Sequence, residues 1–119
     1  MSLQIAFPDG LVGLPTLVRF SLSPVAGTAL LEFVSLDDPS FALVATPADE
    51  VQPGMHATLE ARGLASDDAD VFVLLAVHGE PPQVTANLAG PIVVSAGVGR
   101  QLVLEDPAFP LRAPVGGTD

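Results

Sequence analysis

The sequence predicts an all-β or mostly β protein: a closed barrel or pseudobarrel of about eight short, largely antiparallel strands, with at most a short helix. Apolar and polar residues alternate in short runs, which is the pattern of half-buried strands. Turn-forming residues such as Pro8-Asp9-Gly10 separate these runs at intervals of about 8–12 residues. The length of 119 residues fits one domain, which we assign to residues 1–115. We expect the Gly-containing tail, residues 116–119, to be frayed.

The first half of the chain contains four predicted strands. The last two are expected to form a hairpin around a four-residue loop, Asp37–Ser40, whose Asp side chains can accept backbone N–H bonds. In the third strand Leu31, Phe33 and Ser35 share one face. The segment Leu11–Pro15 is apolar but contains Gly13 and Pro15, which predicts a loop packed on the core. The predicted strands are Leu3–Phe7, Leu17–Leu22, Ala29–Leu36 and Phe41–Thr46.

The middle of the chain is less regular. Ala48–Pro53 is polar and is expected to be irregular. Met55–Leu64 is ambiguous, because its residues alternate as a strand would although a short helix is the alternative. Val71–His78 is the most hydrophobic run and predicts a central strand.

The stretch Thr85–Val94, TANLAGPIVV, joins two predicted strands through Gly90-Pro91, which interrupts strand pairing. Ile92–Val94 is β-branched throughout and suits a strand buried on both faces. Asn87 carries a carboxamide among apolar neighbours, and such a group costs free energy unless it is hydrogen-bonded. We therefore predict that Asn87 ties down the backbone at this bend.

The last part of the chain is predicted to turn at Ala96–Gly99 and to return as a strand at Arg100–Glu105. In that strand, either the side chains of Leu102 and Leu104 point into the core or that of Val103 does so alone. Phe109–Pro114 is expected to close the fold as an extended segment.

The composition excludes several classes of function. The net charge is −10, and the four basic residues are all Arg, so the chain lacks the basic surface that nucleic-acid binding needs. The acidity serves either solubility or steering towards a basic protein partner. Cysteine is absent, which excludes disulfides and thiolate metal sites. No signal peptide and no run of about 20 apolar residues is visible, so we expect a cytoplasmic protein that does not enter the membrane.

No set of residues in the sequence predicts catalysis or metal binding, and we expect no cofactor. His56 and His78 are the only imidazoles and are interpreted as structural or surface residues. The pair Asp37-Asp38 is better explained as a loop cap than as an acid–base pair. The cluster around Asp67-Asp68 lacks the glycine and closing Glu of a calcium loop, which favours a solvated acidic turn.

Four segments, in order along nearly the whole chain, resemble the bacterial flagellar assembly factor FliW family. The Thr85–Val94 stretch resembles the family's hallmark Thr-Ala/Val-Asn-Leu-x-Ala-Pro-Ile-Val-Ile. The other segments are Phe7–Leu14 (FPDGLVGL), Ser35–Leu43 (SLDDPSFAL), and Gln101–Glu105 (QLVLE) together with Pro110–Pro114 (PLRAP).

This resemblance implies a β-rich pseudobarrel with little helix, and it favours a short helix in Met55–Leu64 before the turn at Gly63-Leu64. We expect the free protein to be a monomer. The resemblance implies that the protein binds CsrA, a small, basic, RNA-binding translational repressor. It also implies binding to flagellin, which would compete with CsrA. Sequestering CsrA would relieve repression of flagellin synthesis. The partner contacts implied by the matching motifs are Asn87, Pro91, Ile92, Leu111, Arg112 and Pro114. The closing motif departs from the family's Arg-His-Pro-Leu, since Ala113 replaces the His.

Two alternatives remain open at the level of the sequence. The chain could be an adaptor that binds a filament protein only, without CsrA. It could also bind a small ligand in the mouth of the barrel, although no cluster of polar residues predicts such a pocket.

Overall fold

The structure is a computed structural model and describes residues 3–115 of the chain. Within these residues the chain forms nine strands and two short helices. The predicted tail, residues 116–119, lies outside the described residues. The elements are β1 (Leu3–Ala6), β2 (Arg19–Pro24), β3 (Leu31–Ser35), β4 (Ala42–Pro47), α1 (Ala48–Val51), α2 (Met55–Ala61), β5 (Asp70–His78), β6 (Gln83–Ala86), β7 (Ile92–Ser95), β8 (Val98–Gln101) and β9 (Ala113–Pro114).

Seven of these strands form a closed barrel, which confirms the predicted fold class. The ring runs in the order β4, β3, β2, β1, β8, β7 and β5, and pairing between β4 and β5 closes it. Neighbouring strands are antiparallel except β1 and β8, which pair in parallel through Ala6 and Val98. Closure leaves these strands without an open edge along the paired segments.

The long strand β5 is the centre of the sheet, as its hydrophobicity predicts. One edge pairs with β4, while the other pairs first with β7 through Asp70–Phe72 and then with β6 through Leu75–His78. The strand β6 thus continues the line of β7 along the same edge of β5 and pairs on its far side with β9. The loop of the hallmark stretch, residues 87–91, connects β6, which lies outside the closed ring, to the barrel strand β7.

The two faces of the barrel wall build two separate cores. Along β5, Phe72 and Leu74 point into the barrel, whereas Val71 and Val73 face outwards, because side chains alternate across a strand. The interior contains a cluster of Phe7, Phe20, Phe33 and aliphatic side chains. The outer core lies under the two helices, the hallmark loop and the closing segment, and contains Met55, Leu59, Leu88, Leu102 and Phe109.

The expected helix in the ambiguous segment is confirmed as α2. It follows Gly54, which has a left-handed φ of 86°, and it buries Met55 and Leu59, which are four residues apart and share one helix face. The expectation of irregular structure for Ala48–Pro53 is wrong over its first four residues, which form α1. The acidic Asp49 and Glu50 lie in the first turn of α1, where they stabilise the N-terminal end.

The predicted turn at Ala96–Gly99 is too long, because β8 already begins at Val98. The connection is a two-residue hairpin in which Ala96 (φ 54°) and Gly97 (φ 78°) both take left-handed angles. Gly99 therefore lies inside β8, where its backbone packs against the ring of Phe7. The prediction of a strand as far as Glu105 is wrong, because the chain leaves the sheet after Gln101. Leu102 is buried there and Val103 is exposed.

Candidate protein-binding surface

The side chain of Asn87 holds the hallmark loop in shape. Its Oδ1 accepts a hydrogen bond of 2.9 Å from the backbone N–H of Gly90, a buried residue. The backbone N–H of Asn87 donates to the carbonyl of Leu74 on β5. The prediction that Asn87 ties down the backbone at this bend is confirmed.

Gln101 connects this loop to the loop that follows β1. Its Nε2 donates to the carbonyl of Gly90 at 3.0 Å, and its Oε1 accepts from the backbone N–H of Val12 at 2.9 Å. A Cβ atom at position 90 would lie 2.8 Å from the Gln101 Nε2 and 2.9 Å from the Asn87 Nδ2, so any larger residue would displace the ends of the two side chains that hold this loop. The sequence reasoning missed Gln101, although its place at the head of the closing motif was a usable signal.

Pro91 and Ile92 lie in the interior of the protein. Ile92 is 1% exposed and packs inside the barrel, and Pro91 is fully buried with its carbonyl accepting from the N–H of Leu102. Burial leaves no surface of either side chain for a partner to touch. Any influence of these two residues on a partner must therefore pass through the shape of the hallmark loop.

Leu111 stands on the outside of the molecule beside that loop. It is 62% exposed, and Val12 and Val103 are exposed to a similar degree. These three side chains and Asn87 line one shallow groove of about 130 Å³. We call the exposed patch formed by Val12, Asn87, Val103, Leu111 and Arg112 the Leu111 surface. It is assembled from four separate segments of the chain.

Arg112 extends the Leu111 surface to the other side of Leu111. Leu111 and Arg112 line a second groove of about 250 Å³ together with Asn87 and the rim of the barrel at Leu43 and Leu74. Asn87 and Leu111 thus form the ridge between the two grooves. Large apolar side chains exposed in one patch are typical of interaction sites.

Pro114 lies in β9, the edge strand of the sheet among the described residues. Val115 donates its N–H to the carbonyl of Val84, so by the alternation of an antiparallel ladder the backbone of Pro114 points away from β6. A proline there lacks the N–H that an added strand would need, and prolines at such positions protect edges from pairing. This placement argues against partner binding by strand addition at β9.

The two histidines make local contacts. The Nε2 of His56 lies 3.1 Å from the carbonyl oxygen of Ser66, and that of His78 lies 2.9 Å from the Thr85 Oγ1. Within residues 3–115 no three His, Cys, Asp or Glu side chains come close enough together to hold a metal ion.

A larger cavity, of about 530 Å³, lies away from all the predicted contact residues. It separates the loop after α2 from the β7–β8 hairpin, and Arg100 spans it by donating to the carbonyl of Leu64 at 2.9 Å. The only charged side chains in its lining are Asp9 and the exposed Arg100. Ser66 and Ser95 are the other polar side chains of its lining, which is otherwise apolar or glycine.

None of the helices described between residues 3 and 115 combines the length and the apolar character needed to span a bilayer.

Comparisons with known proteins agree over the whole described fold. The family described as FliW protein matches residues 2–115. Flagellar assembly factor FliW 2 of Desulfotalea psychrophila is 33% identical over 122 residues, which cover 93% of this chain and 79% of that protein. Flagellar assembly factor FliW of Bdellovibrio bacteriovorus is 31% identical over 120 residues, covering 93% of this chain and 69% of that protein.

A solved structure agrees as well. The crystal structure of the flagellar assembly factor FliW superimposes with a TM-score of 0.78 over 98% of this chain and 87% of that chain. The sequence identity of that pair is 22%, so this likeness shows the shared fold.

Proposed function

The chain belongs to the FliW family of flagellar assembly factors, and from this premise we propose that it is a protein-binding regulator that sequesters a CsrA-like RNA-binding repressor and also binds flagellin. The proposed role is non-enzymatic, requires no cofactor, and is carried out in the cytoplasm by a protein that is a monomer when free. Sequestering the repressor would relieve repression of flagellin synthesis, and free flagellin would restore it by competing for this protein.

The observation that carries the proposal is the exposed Leu111 beside the hallmark loop. Side chains that dominate protein interfaces are those that can be fully desolvated in a central position. Leu111 can meet this condition because it stands on a ridge between two shallow grooves and is 62% exposed in the free chain. Of the six residues implied by the resemblance, Asn87, Leu111, Arg112 and Pro114 retain exposed surface.

The charge of the chain supports a basic partner. A net charge of −10 creates a field that attracts a cationic protein and disfavours RNA phosphates near it. Relief of repression further requires that the repressor binds RNA more weakly in the complex than when free, and the two affinities must then be linked reciprocally. Adding RNA should accordingly weaken the complex of the two proteins by the same factor.

The small-ligand alternative finds no support in the barrel. Phe7, Phe20 and Phe33 pack against one another at its centre, with ring centroids 4.4–5.7 Å apart. These rings fill the space that a ligand would need.

The test measures binding of the purified chain to a CsrA-type repressor and to flagellin by titration calorimetry. The variant Leu111→Asp should weaken binding by at least about 2 kcal/mol if Leu111 is an interface anchor. The matched control is Val25→Asp, which places the same charge on the exposed β2–β3 turn, outside the Leu111 surface, and should bind like the parent chain. Affinity for the repressor should also fall as salt rises, because the attraction between the charges is screened.

Each outcome of this experiment separates the possibilities. Failure to bind the repressor at low salt, with flagellin still bound, would leave the filament-protein adaptor in place of the proposed regulator. Failure to bind either protein would refute the proposal. If Leu111→Asp unfolds while Val25→Asp does not, Leu111 contributes to folding, and its assignment as an anchor is wrong.

A further inference from the structure

A second apolar patch lies on the outside of the barrel, on strands β4, β5 and β6. Val77 is 67% exposed, and Val44 and Val84 are each 38% exposed. Val44 pairs with Leu75 across β4 and β5, and Val77 pairs with Val84 across β5 and β6, so these four side chains share one face. We call this patch the β4–β6 face.

The β4–β6 face is open because the strand pairing that closes the barrel stops early. The pairing of β4 with β5 ends at Val44 and Leu75, whereas β5 continues for three more residues to His78. Beyond that point the two strands diverge and leave a groove of about 370 Å³ lined by apolar side chains. No segment of the described chain, residues 3–115, fills this groove.

The dimensions of this face suit a single helix. Strands lie about 4.8 Å apart and residues on one face repeat every 7 Å or so along a strand. The patch from Val44 to Val84 therefore spans about 10 Å across three strands, which is close to the diameter of one α-helix with its side chains. Its centre is apolar, so the helix must present an apolar stripe to it.

Two acidic residues flank the β4–β6 face, and no arginine lines its groove. Glu32 lies directly opposite Val44 on the neighbouring strand β3, and Glu80 lies in the turn between β5 and β6, three residues beyond Val77. The four arginines of the chain are placed elsewhere. Arg19 and Arg62 pair with Asp residues, Arg100 bonds a carbonyl, and Arg112 belongs to the Leu111 surface.

We infer that the β4–β6 face docks an amphipathic helix of a protein partner whose apolar stripe is flanked by Lys or Arg. The apolar stripe would cover Val77 and Val84, and the flanking cations would lie against Glu32 and Glu80. Leu111 and Arg112 lie beside Ala76, His78 and Thr85, whose side chains alternate with Val77 and Val84 on the opposite face of β5 and β6, and the two grooves meet at a rim formed by Leu43, Leu75 and Ala76. The inference stands whether or not the Leu111 surface binds the repressor or flagellin.

The test uses a helical peptide of Leu and Lys in an amphipathic pattern, titrated into the full chain while methyl signals are followed by NMR. The signals of Val44, Val77 and Val84 should shift, and the same pattern built from Leu and Glu should bind at least tenfold more weakly. The double variant V77T/V84T, which keeps β-branched side chains, should bind the Leu/Lys peptide at least tenfold more weakly. Glu32→Gln should also weaken binding.

Three results would overturn the inference. Shifts confined to Leu111 and its neighbours, or spread evenly over the acidic surface, would show that the peptide does not select this face. A dimer of the parent chain that V77T/V84T dissociates would show that the face is covered by a second copy. The NMR mapping on the parent chain shows whether the peptide binds the β4–β6 face even if a variant fails to fold. It uses neither the repressor nor flagellin, so its outcome is independent of the proposed function.

Discussion

Replacing Asn87 by Ala removes a hydrogen bond that the hallmark loop depends on. In the parent chain the Asn87 Oδ1 accepts from the backbone N–H of Gly90 at 2.9 Å. Gly90 is buried, so its N–H depends on an acceptor within the protein. The variant therefore leaves a buried donor without its partner.

The expected cost is about 1–3 kcal/mol, the desolvation penalty of a buried polar group that loses its partner. Asn87→Asp is the matched control. It retains an oxygen that can accept from Gly90, so it should lose less stability than Asn87→Ala.

Urea denaturation followed by far-UV circular dichroism measures these differences, because the chain contains no Trp or Tyr for fluorescence. Combining Asn87→Ala with Gln101→Ala extends the test. Both side chains hold the Gly90 residue, one at its N–H and one at its carbonyl, so the two losses should not add. The coupling should be at least about 0.5 kcal/mol.

The reasoning is refuted if Asn87→Ala and Asn87→Asp unfold at the same free energy as the parent chain. If Asn87→Ala is destabilised and Asn87→Asp is not, the affinity of the Asn87→Asp variant for a CsrA-type repressor shows whether Asn87 also contacts a partner. A stable Asn87→Asp variant that binds as the parent does would restrict Asn87 to shaping the loop.

Two further predictions concern stability. Gly99→Ala places a Cβ 2.5 Å from the Phe7 Cζ, so the variant should lose about 1–3 kcal/mol of stability in thermal and urea unfolding. The loss should be smaller in a Phe7→Leu background, because that substitution removes the ring. Equal losses in both backgrounds would contradict the packing argument. The backbone N–H groups of Val18 and Arg19 donate to the carboxylate of Asp37 and are the main cause that lowers its pKa below the ordinary value of 3.8. This carboxylate therefore stabilises the fold above pH 3.8 and loses that contribution as the pH falls through the lowered pKa. The stability difference between the parent and Asp37→Asn should accordingly shrink in acid, whereas a difference that stays constant down to pH 2 would show that Asp37 does not act through its charge.

Local patterns along the chain were sufficient to predict much of the fold. Alternation in β3 correctly placed Phe33 and Ser35 on one face, which the structure buries, and the β-branched run of β7 correctly predicted a strand buried on both faces. The role of Asn87 followed from the cost of an unsatisfied carboxamide. These inferences succeed because each depends on residues close together in the sequence.

The predictions that failed depended on contacts between distant segments. The start of β8 was misplaced because Gly99 looks like part of a turn, but its missing side chain instead makes room for the ring of Phe7. The contact set implied by the resemblance included Ile92, which the barrel places in its interior. Gln101 was missed because its two partners, Gly90 and Val12, lie 11 and 89 residues away in the chain.

By itself the sequence determined most of the strands, the turns between them and the acidic character of the chain, because periodicity and turn chemistry act over a few residues. The helix α2 runs against the local alternation of its residues and was expected only from the family resemblance. The tertiary structure decided which strands are neighbours. It placed β8 parallel to β1, divided one edge of β5 between β6 and β7, and stopped the β4–β5 pairing at Leu75. The physical reason is that alternation specifies which face of a strand is buried but not which strand lies beside it. That choice depends on closing the barrel around its phenylalanine cluster, and it brings Leu111 and the hallmark loop to one surface.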